Sequence, residues 1–180
     1  MISFKFNKKK SAGFSLMEMM IVIAIIAIMS AITLPALSSS EHRVRKVARE
    51  LIGGMQKARM MAVKTNSDVA IIFDTNTANP RYLICTDNGA DNTWSTIADN
   101  TIAETIEFTN HSAGVYLSVG PSNKKKGPVT YNNNILTFNP RGTCNGGFVY
   151  ISDDRNTSYR VGTLATGIIR IQYWNGSSFK

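Results

Sequence analysis

Few side chains in this 180-residue sequence are placed to do chemistry. Glu18 stands four residues past Phe14, and from Met19 to Ser40 no charged residue follows it. An ionised carboxylate at membrane depth costs on the order of a few kcal/mol, less near the interface, so it either has a partner or merely snorkels at the headgroup boundary. Cys85 and Cys144 would close a loop of about 60 residues, worth roughly 2–4 kcal/mol in an oxidising compartment, or stay as two buried thiols in a reducing one. With His42 in a basic stretch and His111 in an Asn-His-Ser turn, they show no ligand spacing, so neither a metal nor a cofactor is expected. Asp153-Asp154 precede Arg155-Asn156 and read as a hairpin tip rather than a catalytic pair. The glycine-rich residues 142–147 lack a phosphate-loop lysine and a following helix. No nucleophile–base arrangement is visible, and an enzyme is not expected. Lys124, Lys125 and Lys126 form a cationic cluster that is either a solvated loop tip or a salt-sensitive, phosphate-directed nucleic-acid contact. Tyr173 and Trp174 would then stack on bases, or else pack at a sheet edge.

The elements that must carry these residues follow from hydrophobic patterning. Residues 14–34, 21 in all, give about 32 Å of helix at roughly 1.5 Å per residue, enough for a hydrocarbon core of about 30 Å. Pro35 removes a backbone donor and predicts a bend. Beyond residues 38–40, Val44, Val47, Ala48, Leu51, Ile52, Met55, Ala58 and Ala62 recur at helical spacing, with Arg45, Arg49 and Lys57 opposite. Gly53-Gly54 interrupts this stretch at roughly 1 kcal/mol per glycine relative to Ala, explained by close sheet packing or by a flexible point. After Asn66 the pattern turns to strands over 68–73, 81–85, 101–108, 115–119, 135–138, 148–152, 159–163 and 168–174, with turn chemistry throughout 139–147. The expected fold is α+β: a long N-terminal helix, half membrane-spanning and half amphipathic, packed on an antiparallel β-sheet head. The divisions are a leader (1–13), a spanning helix (14–37), an amphipathic stem (38–65) and a β-rich head (66–180).

Charge is unevenly shared among these parts. The net charge is +8, and loss of Lys5, Lys8, Lys9 and Lys10 with the leader would leave +4. Residues 41–64 hold seven Lys/Arg against two Glu, a net +5, whereas residues 66–180 hold nine basic and nine acidic side chains and are formally neutral. Lysines precede the apolar run, but Arg43, Arg45, Lys46 and Arg49 follow it, so charge alone does not orient the segment. A rival reading is a secretory signal cut near Ala36-Leu37-Ser38, although such a signal has an apolar region of about 7–15 residues and this one is longer.

The segment Gly13-Phe14-Ser15-Leu16-Met17-Glu18, behind three lysines and ahead of the uncharged run, resembles the class III signal of type IV pilins and type II secretion pseudopilins. Pro35 also falls where those pilins often carry a helix-bending proline. The stem Leu51…Ala58-Arg59…Ala62-Val63, Phe138-Asn139-Pro140-Arg141-Gly142 and Thr166-Gly167-Ile168-Ile169-Arg170-Ile171 resemble H-type pseudopilins and FimT/FimU-like minor pilins. The resemblance implies cleavage between Gly13 and Phe14 by prepilin peptidase and N-methylation of Phe14. It also implies subunit assembly through Glu18 and a neighbour's N-terminal amine. The implied location is the bacterial inner membrane, single-pass with a periplasmic head, and then a pilus or pseudopilus built with other pilins. That oxidising side of the membrane favours a Cys85–Cys144 disulfide. The implied roles are a minor pilin in filament initiation or tip assembly, an H-type pseudopilin of type II secretion, or a tip subunit that binds DNA. DNA-binding FimT-like members show Gly-Arg-x-Arg in the last strand, whereas here Ile168 replaces the first Arg and Arg170 matches the second. Intact-mass measurement on membrane-derived protein is expected to place the mature N-terminus at Phe14. A terminus at Ser38 or beyond would make the apolar run an ordinary secretory signal.

Overall fold

The computed structural model describes residues 13–37, 40–75, 80–108, 115–117, 127–155 and 157–180, with side chains described through Ser30 and again from Glu41. Two compact units divide at residues 39 and 40. The first holds α1 (Leu16–Leu37). Apart from Glu18 its described side chains are almost all apolar and exposed, from Leu16 to Met29. Among the described residues no helix is long and apolar enough to cross a membrane; the described side chains of α1 stop at Ser30, short of the length that spanning requires. Pro35 falls within the backbone span of α1, but its side chain lies outside the described residues.

The second unit begins with α2 (Ser40–Thr65), followed among the described residues by eight strands. These are β1 (Val69–Asp74), β2 (Arg81–Asp87), β3 (Thr101–Glu107), β4 (Val115–Leu117), β5 (Ile135–Phe138), β6 (Gly147–Asp153), β7 (Ser158–Thr163) and β8 (Ile169–Tyr173). They form two antiparallel four-stranded sheets, ordered β3-β2-β1-β5 and β4-β6-β7-β8, where the sequence pattern had suggested one. The helix is the reason that both sheets cohere. Val44, Val47, Ala48, Leu51, Met55, Ala58 and Ala62 are all buried and share one core cluster with residues from both sheets. Each fully buried Val, Leu or Met in such a stripe contributes about 1.5–3 kcal/mol. Strand alternation does the rest in the first sheet. Val69, Ile71, Phe73, Tyr82 and Ile84 join α2 in that core, while Ile72, Leu83 and Cys85 form a second cluster with Trp94, Ile97 and Ile135.

Turn chemistry locks the loops. Asn139 Oδ1 accepts the backbone N–H of Arg141 (3.0 Å) and of Thr143 (3.2 Å), and Gly142 donates to the Asn139 carbonyl (2.8 Å). Gly142 then takes φ +75, open to glycine at little cost. At the other hairpin, Asp153 Oδ1 accepts from Arg155 N (3.0 Å) and Thr157 N (2.9 Å), so this acid holds the turn before β7. Lys57 of the stem reaches Glu104 of β3 at 2.8 Å, an exposed pair worth up to about 1 kcal/mol.

The adjacent glycines of α2 divide sharply. A Cβ on Gly53 would meet nothing within 4 Å, whereas one on Gly54 would lie 2.6 Å from the Tyr82 hydroxyl oxygen. The Tyr82 ring is itself buried between Phe73 and Phe108, at centroid distances of 6.2 and 5.4 Å, and has little room to yield. Close sheet packing therefore accounts for Gly54 and not for Gly53. Gly53→Ala is expected to stabilise the chain by about 0.5–1 kcal/mol, the ordinary helix-propensity gain. Gly54→Ala is expected to lose on the order of 1 kcal/mol or more by overpacking. Thermal unfolding of the full chain in detergent checks both, and shifts of the same sign would contradict this packing.

Candidate assembly site

The chemistry singled out at the N-terminus is gathered in six residues. Gly13, Phe14 and Ser15 lie outside any helix, and α1 starts at Leu16. The Ser15 carbonyl accepts the first helical bonds, from Glu18 N at 3.0 Å and Met19 N at 3.2 Å. Glu18 therefore occupies the first turn, where the amide ends of the helix favour negative charge by typically 0.3–1 kcal/mol. The Ser15-Leu16-Met17-Glu18 spacing is that of a capping box, a signal in the sequence that would have marked this helix start. Phe14 is 77% exposed, and among the described residues a Cβ on Gly13 would meet nothing within 4 Å. Glu18 is exposed, and among the described residues it forms no ion pair.

The residues that carried the head resemblance come together in space. Gly167, at φ +81, packs against the Gly142 carbonyl so closely that any Cβ there would collide with it. The Arg59 guanidinium lies over both turns, with its Nε 3.0 Å from a Cβ position on Gly142. The 138–142 and 166–171 segments thus meet under one stem arginine. Their shared pattern is explained by this junction.

The other candidates disperse. Arg170 is exposed on β8. Lys124, Lys125, Lys126 and His111 lie outside the described residues. His42 is exposed on α2, and no group of three or more His, Cys, Asp or Glu able to hold a metal occurs among the described residues. Trp174 packs against Phe179 at 5.1 Å, while Tyr173 is 48% exposed.

The expected disulfide does not form: Cys85 and Cys144 are both free. The reason is strand parity. Cys85 faces the outer cluster of the first sheet, and Cys144 packs against the helix-side core. There Cys144 bridges to Phe138 and donates its S–H to the Leu164 carbonyl at 3.2 Å. Bridging them would require a side chain to cross the sheet.

An exposed carboxylate opening an apolar helix, and an amphipathic helix backing an antiparallel head, together define a subunit of the pilin and pseudopilin class. Within that class the chain belongs to the family of the type II transport protein GspH, whose profile matches residues 47–167. Residues 8–34 match the prokaryotic N-terminal methylation motif. The fold is similar to that of the crystal structure of the type IV minor pilin FimU from Pseudomonas aeruginosa, with TM-score 0.52 and 16% identity over 77% of this chain and 93% of that one. No curated protein matches the chain in sequence.

Burial pushes the Cys85 thiol up to about 11 and raises the Cys144 thiol as well, so little of either is thiolate at pH 8. Labelling of native protein at that pH is expected to be slow. Denatured, unreduced protein is expected to take up two equivalents of thiol reagent per chain. Uptake of none would mean that the pair is oxidised and that this strand parity is wrong.

Proposed function

We propose that the chain is a minor pilin of a type IV pilus and acts in filament initiation or tip assembly. The observation that carries this reading is the exposed Glu18 carboxylate in the first turn of α1, immediately after the Gly13–Phe14 junction. The methylation motif over residues 8–34 and the likeness of the head to a minor pilin support it. A second reading, the H-type pseudopilin of a type II secretion system, is favoured by the GspH profile. Both readings give the chain the same mechanics.

Prepilin peptidase cuts after Gly13, and Phe14 becomes the methylated N-terminus. Residues 14–37 hold the subunit in the inner membrane with the head (66–180) in the periplasm, on a stem of residues 38–65. A lone monomer tolerates Glu18 near the interface by protonation, snorkelling or a lipid partner. Among stacked apolar helices an unpaired carboxylate is costly and a paired one tolerable. The α-amine of Phe14 on an adjoining subunit is the available cation, and only leader removal exposes it. Pairing thus couples cleavage to assembly and sets the axial offset between neighbours. The role is structural and involves no catalysis.

Glu18→Ala removes the charge and leaves the helix apolar. Normal membrane abundance and normal processed size are expected, with strongly reduced recovery in sheared filaments or in the initiating complex. Wild-type recovery of this variant in filaments would refute the pairing mechanism.

A further inference from the structure

A groove runs between α2 and the edge strand β8, and its composition is that of a binding surface. Arg45 and Arg49 line one wall, one helical turn apart, and Ile171 and Tyr173 of β8 line the other. It continues past Tyr159 to Trp174 and Arg155. Arginine, tyrosine and tryptophan are the residues enriched where binding energy concentrates in protein interfaces. Two like charges at this helical spacing weaken an isolated helix slightly. Among the described residues neither Arg45 nor Arg49 forms an ion pair. Glu41, also in the groove, accepts a hydrogen bond from the Tyr159 hydroxyl at 3.3 Å.

The floor of the groove ends at an open sheet edge. In the β7–β8 ladder Trp174 N donates to the Ser158 carbonyl, so Tyr173, Ile171 and Ile169 direct their backbone groups away from β7. Tyr173 exchanges both bonds with Lys180 of the returning C-terminal segment. Among the described residues no strand pairs with the outer edge at Ile171. An unpaired edge beside two arginines accepts an extended chain by strand addition, with alternate side chains entering the groove.

We propose that this groove binds an extended, acid-bearing segment of a different protein, which adds to β8 and places carboxylates against Arg45 and Arg49. A symmetric stem-to-stem pairing of two copies fits poorly, because residues 41–64 carry +5 and would face the same charge. A nucleic acid fits less well than a peptide: residues 66–180 are formally neutral, and the open amides of β8 match a backbone. The inference does not depend on whether the filament is a pilus or a pseudopilus.

The test is in-cell photo-crosslinking of the full-length chain carrying a photoreactive residue at Tyr173, with the crosslinked peptide identified by mass spectrometry. The expected adduct joins Tyr173 to an acid-bearing segment of one different protein. Double reversal, Arg45→Glu with Arg49→Glu, is expected to lower its yield about tenfold without changing membrane abundance or processed size. Reversal of the partner's acids to Lys is expected to restore it. Both arginines are exposed, and Arg45→Gln with Arg49→Gln serves as a milder variant that keeps the fold and still loses the adduct. A self-adduct, a nucleic-acid adduct, no adduct above the unirradiated control, or an adduct indifferent to charge reversal would each overturn the proposal. Filament recovery of Glu18→Ala reads the assembly mechanism separately.

Discussion

Val44, Val47, Leu51, Met55, Ala58 and Ala62 lie along one side of α2, and strands of both sheets close on them. Among the described residues neither sheet has another α-helix in this unit to cover its inner face, so the stripe is the shared wall of the core. Truncating one large member, Leu51 or Met55, leaves a cavity that typically costs about 2–5 kcal/mol. Alanine at 48, 58 and 62 and glycine at 54 serve the opposite need, letting strands approach the helix axis. The position of the helix also settles what its other side presents. With the apolar stripe held inward, Arg45 and Arg49 stand at the margin of the second sheet, next to Tyr159 and Tyr173.

Much of this was legible in the sequence because the patterns are local. The stripe repeats every three or four residues across the stem, and all its members but the half-buried Ile52 are fully buried. The eight strand candidates each coincide with a strand, because β-branched and aromatic runs between Gly, Asn and Asp leave little choice. The division into two sheets was not legible. Strands of both sheets bury residues against the same helix, so they read alike in sequence. The pairing of β5 with β1 joins segments some 65 positions apart that carry no mark of each other (Val69↔Phe138). The separation of the two cysteines has the same origin. Whether a strand residue faces in or out depends on register, and a bulge in the β2–β3 ladder lies at Cys85.

The candidate site was legible where spacing along the chain is the message. Gly13, Phe14 and Glu18 keep their sequence relation because a helix begins between them. The two head segments that carried the family resemblance are different. Separated by more than twenty residues, Gly142 and Gly167 touch, and Arg59 of α2 covers both. Their glycines are required because positive φ and backbone contact coincide there, at positions where an L side chain would cost about 1–3 kcal/mol or more. Resemblance in these segments therefore reports how loops are fastened to the stem. It is folding chemistry, and it carries no information about a ligand.

Charge completes the separation of tasks along the chain. The sheets take the apolar face of α2, and the positive charge of the stem is left on the surface they do not cover. Half-buried Glu50 lies 3.9 Å from Lys46 and Glu104 lies 2.8 Å from Lys57, pairs that each offset one lysine. The arginines at 45 and 49 keep their charge beside aromatic rings, where a guanidinium loses less hydration than an ammonium would and its planar donors suit a carboxylate. With a screening length of about 8 Å at physiological ionic strength, a formally neutral head exerts little pull on distant polyanions. A pair of arginines acting at contact range then selects for shape and for a fixed number of acids, which suits a protein neighbour in a fixed register. The apolar stripe thus makes the fold, the exposed Glu18 opens the first turn of α1, and the cationic margin of α2 is left uncovered by either sheet.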